Sequence, residues 1–131
     1  MPMMDLILAA FLSHYVADWV LQGPKMGREK SSKLRVLALH ISIIFITIFL
    51  GTLYFLDPLE ALKLSALNAL THAVIDWNIW RLYRVSVYLR NKDRDIEDLQ
   101  KNFKYWLDPV FGHFLGLDQL LHFVILYLIY R

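Results

Sequence analysis

The chain has 131 residues, of which 57% are hydrophobic, 15% aromatic and 20% charged, and its mean hydropathy is +0.41. A soluble domain near this size buries only about 68–70% of its unfolded surface, too little to hide so apolar a composition, so a soluble globule, a disordered chain and a fibre are disfavoured and the bilayer is favoured. The net charge of +2 is too small for a nucleic-acid binder, the absence of cysteine removes disulfides and thiolate metal sites, and the length allows one domain, 1–131.

Four apolar stretches, at about 3–22, 34–56, 58–81 and 110–130, can each cover the ~30 Å bilayer core as helices. The first is expected to be retained rather than cleaved as a signal peptide: no basic residue precedes it, and His14 and Asp18 interrupt its apolar run. Gly23-Pro24 ends it. The segment Lys25 to Arg35 then carries Lys25, Arg28, Lys30, Lys33 and Arg35 against Glu29 alone. Before the third stretch, Asp57-Pro58-Leu59-Glu60 reads as an N-cap, a first-turn proline and the acid of a capping box. That helix is expected to run on to about Asn91, carrying Arg81, Arg84 and Arg90 into the headgroup zone.

Between Asp95 and Val110, the spacing of Ile96, Leu99, Phe103, Trp106 and Val110 predicts a short amphipathic helix on the cytoplasmic surface, with a solvated loop as the alternative. Asp108-Pro109 opens the fourth stretch. Both long links are basic and the 57–60 link is acidic, which places both termini outside and both basic loops in the cytoplasm. The expected fold is all-α: a four-helix membrane bundle built from two helical hairpins.

What breaks the apolar runs carries the chemistry. The first stretch holds His14 and Asp18, the second His40, the third Asn68, His72 and Asp76, and the fourth Asp118, Gln119 and His122. Three aspartates near helix centres cost roughly 7–10 kcal/mol on the insertion scale, and intramembrane ionisable groups are by default functional. His14/Asp18, His72/Asp76 and Asp118/His122 are i, i+4 pairs, so each helix shows one imidazole and one carboxylate on one face. Counted from the cytoplasmic helix ends at ~1.5 Å per residue, these six and His40 fall in one slab roughly 6–16 Å deep. There is also an internal repeat: Ser13-His14-Tyr15-Val16-Ala17-Asp18-Trp19 matches Thr71-His72-Ala73-Val74-Ile75-Asp76-Trp77 at hydroxyl, His, Val, Asp and Trp, and Leu39-His40 echoes Leu121-His122.

Imidazole and carboxylate without sulfur suit zinc, with manganese or iron as alternatives, and helix bundles build such sites for one or two ions. The candidate metal ligands are His14, Asp18, His40, His72, Asp76, Asp118 and His122. Asp18, Asp76 and Asp118 are equally candidates for orienting the ligand histidines by hydrogen bond or for the general base. Gln22, Asn68, Gln119, Arg81 and Arg84 are candidates for holding substrate, although the positive-inside rule alone explains the arginines. A metal-free His–Asp network serving as helix glue is the plain alternative, at only ~0.6 kcal/mol per polar contact. Trp19, Trp77, Trp80 and Trp106 fit an interfacial aromatic belt, and His113 fits the interface.

The elements His14-x-x-x-Asp18-x-x-x-Gln22, Leu39-His40, His72-x-x-x-Asp76 and Asp118-Gln119-x-x-His122 together resemble a bacterial and phage family of small multi-span membrane proteins, the domain of unknown function three-three-zero-seven. The resemblance covers nearly the whole chain and implies a bacterial inner-membrane setting but no activity. A looser likeness of type runs to bacterial membrane-bound metal-dependent hydrolases.

Three functions are open on the sequence. The first is a metal-dependent hydrolase acting on a lipid ester or phosphate near the cytoplasmic leaflet, with His14, His72 and His122 as core ligands. The second is a proton or ion conduit, or a transporter, on the same network. The apolar outer halves Ile43–Phe49 and Phe123–Ile129 argue against a through-path. The third is an accessory protein with a structural metal. Membrane lipid is the expected partner and nucleic acid is not. Four helices are few for a membrane enzyme, which makes a homodimer an expectation that no motif supports.

Overall fold

The computed structural model describes residues 2–131, apart from the side chains of Pro2, Ile96, Gln100 and Lys101. The chain is helical, with no strand among the described residues. Its elements are α1 (Pro2–Tyr15), continued by a π-helical turn (Val16–Val20), α2 (Pro24–Glu29), α3 (Leu34–Thr52), α4 (Pro58–Arg90), α5 (Ile96–Asn102), a 3₁₀ turn (Tyr105–Leu107) and α6 (Pro109–Tyr130).

The starts follow local chemistry. The Asp57 carboxylate accepts from the Leu59 and Glu60 amides, and that of Asp108 from the Val110 amide, so both capping aspartates satisfy first-turn donors ahead of a proline. α3 stops at Thr52, short of the expected residue 56, and the chain passes through a turn into the extended conformation of Asp57 that Pro58 imposes. α4 has 33 residues. At ~1.5 Å per residue it is about 50 Å long, so it overshoots a ~30 Å bilayer core and ends at the expected Asn91 cap.

Two links differ from expectation. The basic stretch after Gly23 forms α2, because Gly23 is extended and Pro24 occupies the first helical turn. The single amphipathic helix expected from Asp95 to Val110 is instead two pieces, broken where Phe103 and Lys104 leave helical geometry. The Ile96 side chain, one of its expected apolar positions, lies outside the described residues.

Helix pairs α1–α3, α3–α4, α4–α6 and α1–α6 pack together and close a ring. Ala10, Ile44, Ile48 and Leu126 are wholly buried at one end of it, with Phe11 stacked on Phe123 at 4.1 Å between ring centres. Gly51 lets α3 approach α1 closely: a Cβ there would collide with the Ser13 hydroxyl and stand 3.1 Å from its Cβ.

Burial is inverted relative to a soluble protein. Leu12, Leu50, Leu70, Val74 and Leu120 are exposed, whereas the buried polar residues include every histidine except His113. Among the described residues, three helices are long and apolar enough to cross a membrane: Met3–Val20, Leu34–Thr52 and Pro109–Tyr130. α4 is not among them, because Lys63, Asn68, His72, Asp76 and Arg81 dilute its apolar residues.

Candidate metal centre

The ring encloses a polar layer. His14 from α1, Asp18 from the π-turn, His40 from α3, His72 and Asp76 from α4, and Asp118 and His122 from α6 all point inward and are at most 4% exposed. All seven residues expected as metal ligands are therefore brought together. Imidazole ring centres lie 5.1 Å apart for His14–His72, 5.3 Å for His14–His122, 3.9 Å for His72–His122 and 5.1 Å for His40–His72.

Among the described residues, three groups each bring one donor atom per residue within 4.8 Å of the others: His14/His72/His122, Asp18/His40/His72 and Asp76/Asp118/His122. The first is all imidazole. His122 Nδ1 lies 2.8 Å from the Asp118 carbonyl. That oxygen can only accept, so the proton sits on Nδ1 and Nε2 presents a lone pair. His122 Nε2 and both ring nitrogens of His14 are buried without a hydrogen bond. Buried imidazole nitrogens rarely stay unpaired, and a cation held between them supplies what the protein does not.

The carboxylates are arranged differently. Asp76 Oδ2 stands 3.2 Å from His40 Nε2 and 3.1 Å from His72 Nε2, and Asp18 Oδ1 stands 3.3 Å from His40 Nε2. The two imidazole Nε2 atoms are 3.0 Å apart. The i, i+4 pairs are not equivalent: His72 contacts Asp76 at 3.1 Å, but His14 reaches Asp18 only at 4.0 Å. The π-turn accounts for the difference. Its wider i→i+5 turn rotates Asp18 away from the position a continuous α-helix would give it and toward His40 and α2.

Sequence reasoning missed Lys30. Read as one of five positive-inside charges, it is 3% exposed and points into the layer. Its Nζ lies 2.9 Å from Asp76 Oδ1, 3.3 Å from Asp18 Oδ1 and 3.4 Å from His40 Nε2. Burial works against the ammonium charge, but Asp76 and Asp18 outweigh it and hold the pKa above the ordinary lysine value. Arg84 pins this segment by donating to the Ser31 carbonyl at 2.9 Å and to the Ser31 hydroxyl, and Arg81 donates to the same carbonyl at 3.4 Å while lying over the Trp77 ring. The two arginines expected near substrate thus first hold the chain's own loop. No local pattern distinguishes Lys30 from Lys25 or Lys33, so only long-range packing could reveal it.

Around this centre, Gln119 donates to Asp18 Oδ2 at 3.2 Å and to Asp118 Oδ2 at 3.3 Å, and accepts from the Trp19 indole at 3.1 Å. Trp19 therefore orients the layer in addition to facing outward. Asn68 is buried one turn beyond His72, its amide nitrogen without a hydrogen bond. His113 bonds the Pro109 carbonyl and stays outside the layer.

Among the described residues, two cavities lie on this side of the molecule, and the smaller reaches the layer. The smaller, about 100 Å³, touches Asp18, Lys30, Asp118 and Gln119. The larger, about 670 Å³, lies among α2, α4, α5 and α6 and is walled by Tyr83, Val87, Tyr88, Leu99, Phe103 and Phe111, with Arg28 and Arg84 as its cations. Gln22, Gly27, Trp80 and Leu115 line both, so the two cavities adjoin. The expected surface helix is in part the wall of this cavity, through Leu99, Phe103 and Tyr105.

Fold and site together define an all-helical protein with three membrane-competent helices around a buried histidine–aspartate cluster able to hold metal. The chain belongs to the family described as a protein of unknown function, DUF3307, whose model matches residues 6–131. No curated protein and no solved structure matched.

Proposed function

We propose that this protein is an integral-membrane metal-binding hydrolase acting on a lipid-like ester or phosphate near the cytoplasmic leaflet of a bacterial inner membrane. In this reading α4 is the fourth span of a bundle of two helical hairpins, both termini lie outside, and the basic links face the cytoplasm. The inward burial of Asn68, His72 and Asp76 beside outward Leu67, Leu70 and Val74 supports α4 as a span.

The observation that carries the reading is the buried His14/His72/His122 triad, whose unpaired nitrogens need only a small inward adjustment to meet one ion, since zinc–nitrogen distances are about 2.0–2.1 Å. Zinc is the favoured metal, with manganese or iron as alternatives. A metal so held would polarise a carbonyl or phosphoryl oxygen and activate water. Asp118 lines the small cavity and keeps Oδ1 free of hydrogen bonds, so it is the carboxylate best placed to take a proton from an attacking water. Gln119 orients it. The larger cavity offers an apolar, aromatic enclosure of the size that holds small organic ligands, and its arginines favour an anionic head.

The conduit reading fares worse. Ala10, Ile44, Ile48 and Leu126 pack without exposure at the outer end of the ring, which favours a blind site over a path.

Elemental analysis of the detergent-purified protein beside His14→Ala, His72→Ala and His122→Ala tests the proposal. Bound zinc, manganese or iron that disappears in each variant supports it. A protein that stays metal-free after reconstitution with all three ions overturns it. Screening lipid esters and lipid phosphates on the metal-loaded protein then tests hydrolysis.

A further inference from the structure

The polar layer contains more cation-binding groups than one metal uses, and one of its cations belongs to the chain itself. Of the three donor groups, only His14/His72/His122 is free of carboxylates. The other two need Asp18 or Asp76, and both of these are already in contact with the Lys30 ammonium, at 3.3 and 2.9 Å. His40 Nε2 completes the same enclosure at 3.4 Å. The side chain is wholly enclosed, and Arg84 holds the adjoining Ser31 by its carbonyl and hydroxyl. The ammonium is therefore a built-in charge rather than a surface lysine that happens to fold inward.

We propose that Asp18, Asp76 and His40 form a second cation site whose resident cation is the Lys30 ammonium, so that the centre accepts one metal at the histidine triad and not two. Two buried carboxylates side by side require a positive charge. Lysine supplies it as a compact point charge on a flexible stem. A divalent ion at the same oxygens would meet that charge at contact distance, and the two compete for the same ligands. The pseudo-repeated His-x-x-x-Asp segments then hold different cations: their imidazoles serve the metal, and their carboxylates serve Lys30. The placement at the triad rests on the metal-centre reading above; the cation site at the carboxylates does not.

The test is metal stoichiometry on full-length protein loaded with Zn²⁺ or Mn²⁺ in detergent and freed of excess by gel filtration. Lys30→Met removes the ammonium at similar length, and Lys30→Arg keeps a positive charge. The expected result is one more equivalent bound by Lys30→Met than by the wild type, no gain in Lys30→Arg, and loss of the gain in Lys30→Met/Asp76→Asn. Equal stoichiometry in wild type and Lys30→Met overturns the inference, as does a wild type that already binds two ions.

The two readings fail separately. A metal-free wild type beside a Lys30→Met variant with one ion sinks the metal-centre reading and leaves the cation site standing. If Lys30→Met unfolds without added ions, preparation in Mn²⁺ or Zn²⁺ decides: recovered helicity by circular dichroism supports the inference, and no recovery overturns it.

Discussion

His122 donates its Nδ1 proton to the backbone carbonyl of Asp118, 2.8 Å away and one turn earlier in α6. The bond fixes the tautomer, so Nε2 faces His14 and His72 as a lone pair. A side chain that reproduces the Nδ1 contact without a second nitrogen loses the ligand. His122→Asn is therefore expected to weaken metal binding at least 100-fold, with helix content by circular dichroism unchanged. Undiminished affinity in an equilibrium metal titration would remove His122 from the centre.

Lys30 and its carboxylates predict a stability effect separate from stoichiometry. Removing one partner of a buried ion pair costs about 3–5 kcal/mol because the other charge is left uncompensated. Lys30→Met without added metal should unfold at markedly lower temperature than the wild type, and Zn²⁺ or Mn²⁺ should restore part of the loss. Lys30→Met that melts with the wild type would mean that Asp18 and Asp76 do not depend on the ammonium.

Arg90 grips Asp108 with both guanidinium nitrogens, at 2.9 and 2.7 Å, and Tyr83 donates to the same carboxylate at 2.9 Å. The Arg90 contact pulls the Asp108 carboxyl down to about 2 from its usual 3.8. A carboxylate whose pKa falls on folding stabilises the fold above its unfolded value and loses that contribution as pH drops through the folded one. The contribution of this tie between α4 and α6 is thus nearly complete above about pH 4 and mostly lost by about pH 2, where half of the folded carboxyls are protonated. Asp108→Asn should cost about 1–2 kcal/mol at pH 6 and nearly nothing at pH 2, measured as thermal unfolding of variant and wild type at both pH values. A gap of the same size at both pH values would exclude the ion pair as its source.

Gly27 and Gln22 line both cavities, and a Cβ on Gly27 would stand 3.2 Å from the Gln22 amide nitrogen. Gly27→Val should press Gln22 into the space where the cavities adjoin. If substrate reaches the metal this way, kcat/KM on a responsive lipid substrate falls about tenfold or more, by over 1.4 kcal/mol of activation free energy, while metal content stays at the wild-type level. Unchanged turnover would point to another route of access.

Close packing of α1 on α3 gives a last expectation. Gly51→Ala pushes against Ser13, whose Cβ stands only 3.1 Å from the new methyl position. Overpacking of this kind costs about 1–3 kcal/mol. Gly51→Ala/Ser13→Ala, which removes the hydroxyl, should regain part of that cost. A double variant no more stable than Gly51→Ala would place the strain in the backbone instead.

Helices long and apolar enough to cross a membrane, the capping aspartates 57 and 108, the reach of α4 to Asn91 and the seven-residue polar layer can all be read from the residues alone. Each rests on signals local in the chain: apolar run length, the cap ahead of proline, and the i, i+4 rule that puts His72 and Asp76 on one face. How the layer arranges its charges follows instead from contacts between helices. The π-turn moved Asp18 away from His14, a one-residue change in turn width that apolar periodicity does not register. The segment after Asp95 became two pieces, the 3₁₀ turn packing against α6 and the other lining a cavity through Leu99 and Phe103. Above all, Lys30 is one basic residue among five in a link whose basic composition the positive-inside rule alone explains. It points inward because Arg84, more than fifty residues away, holds Ser31, and because Asp18 and Asp76 arrive from different helices. Contacts of that range leave no periodic trace in a sequence; they exist only once the ring has closed.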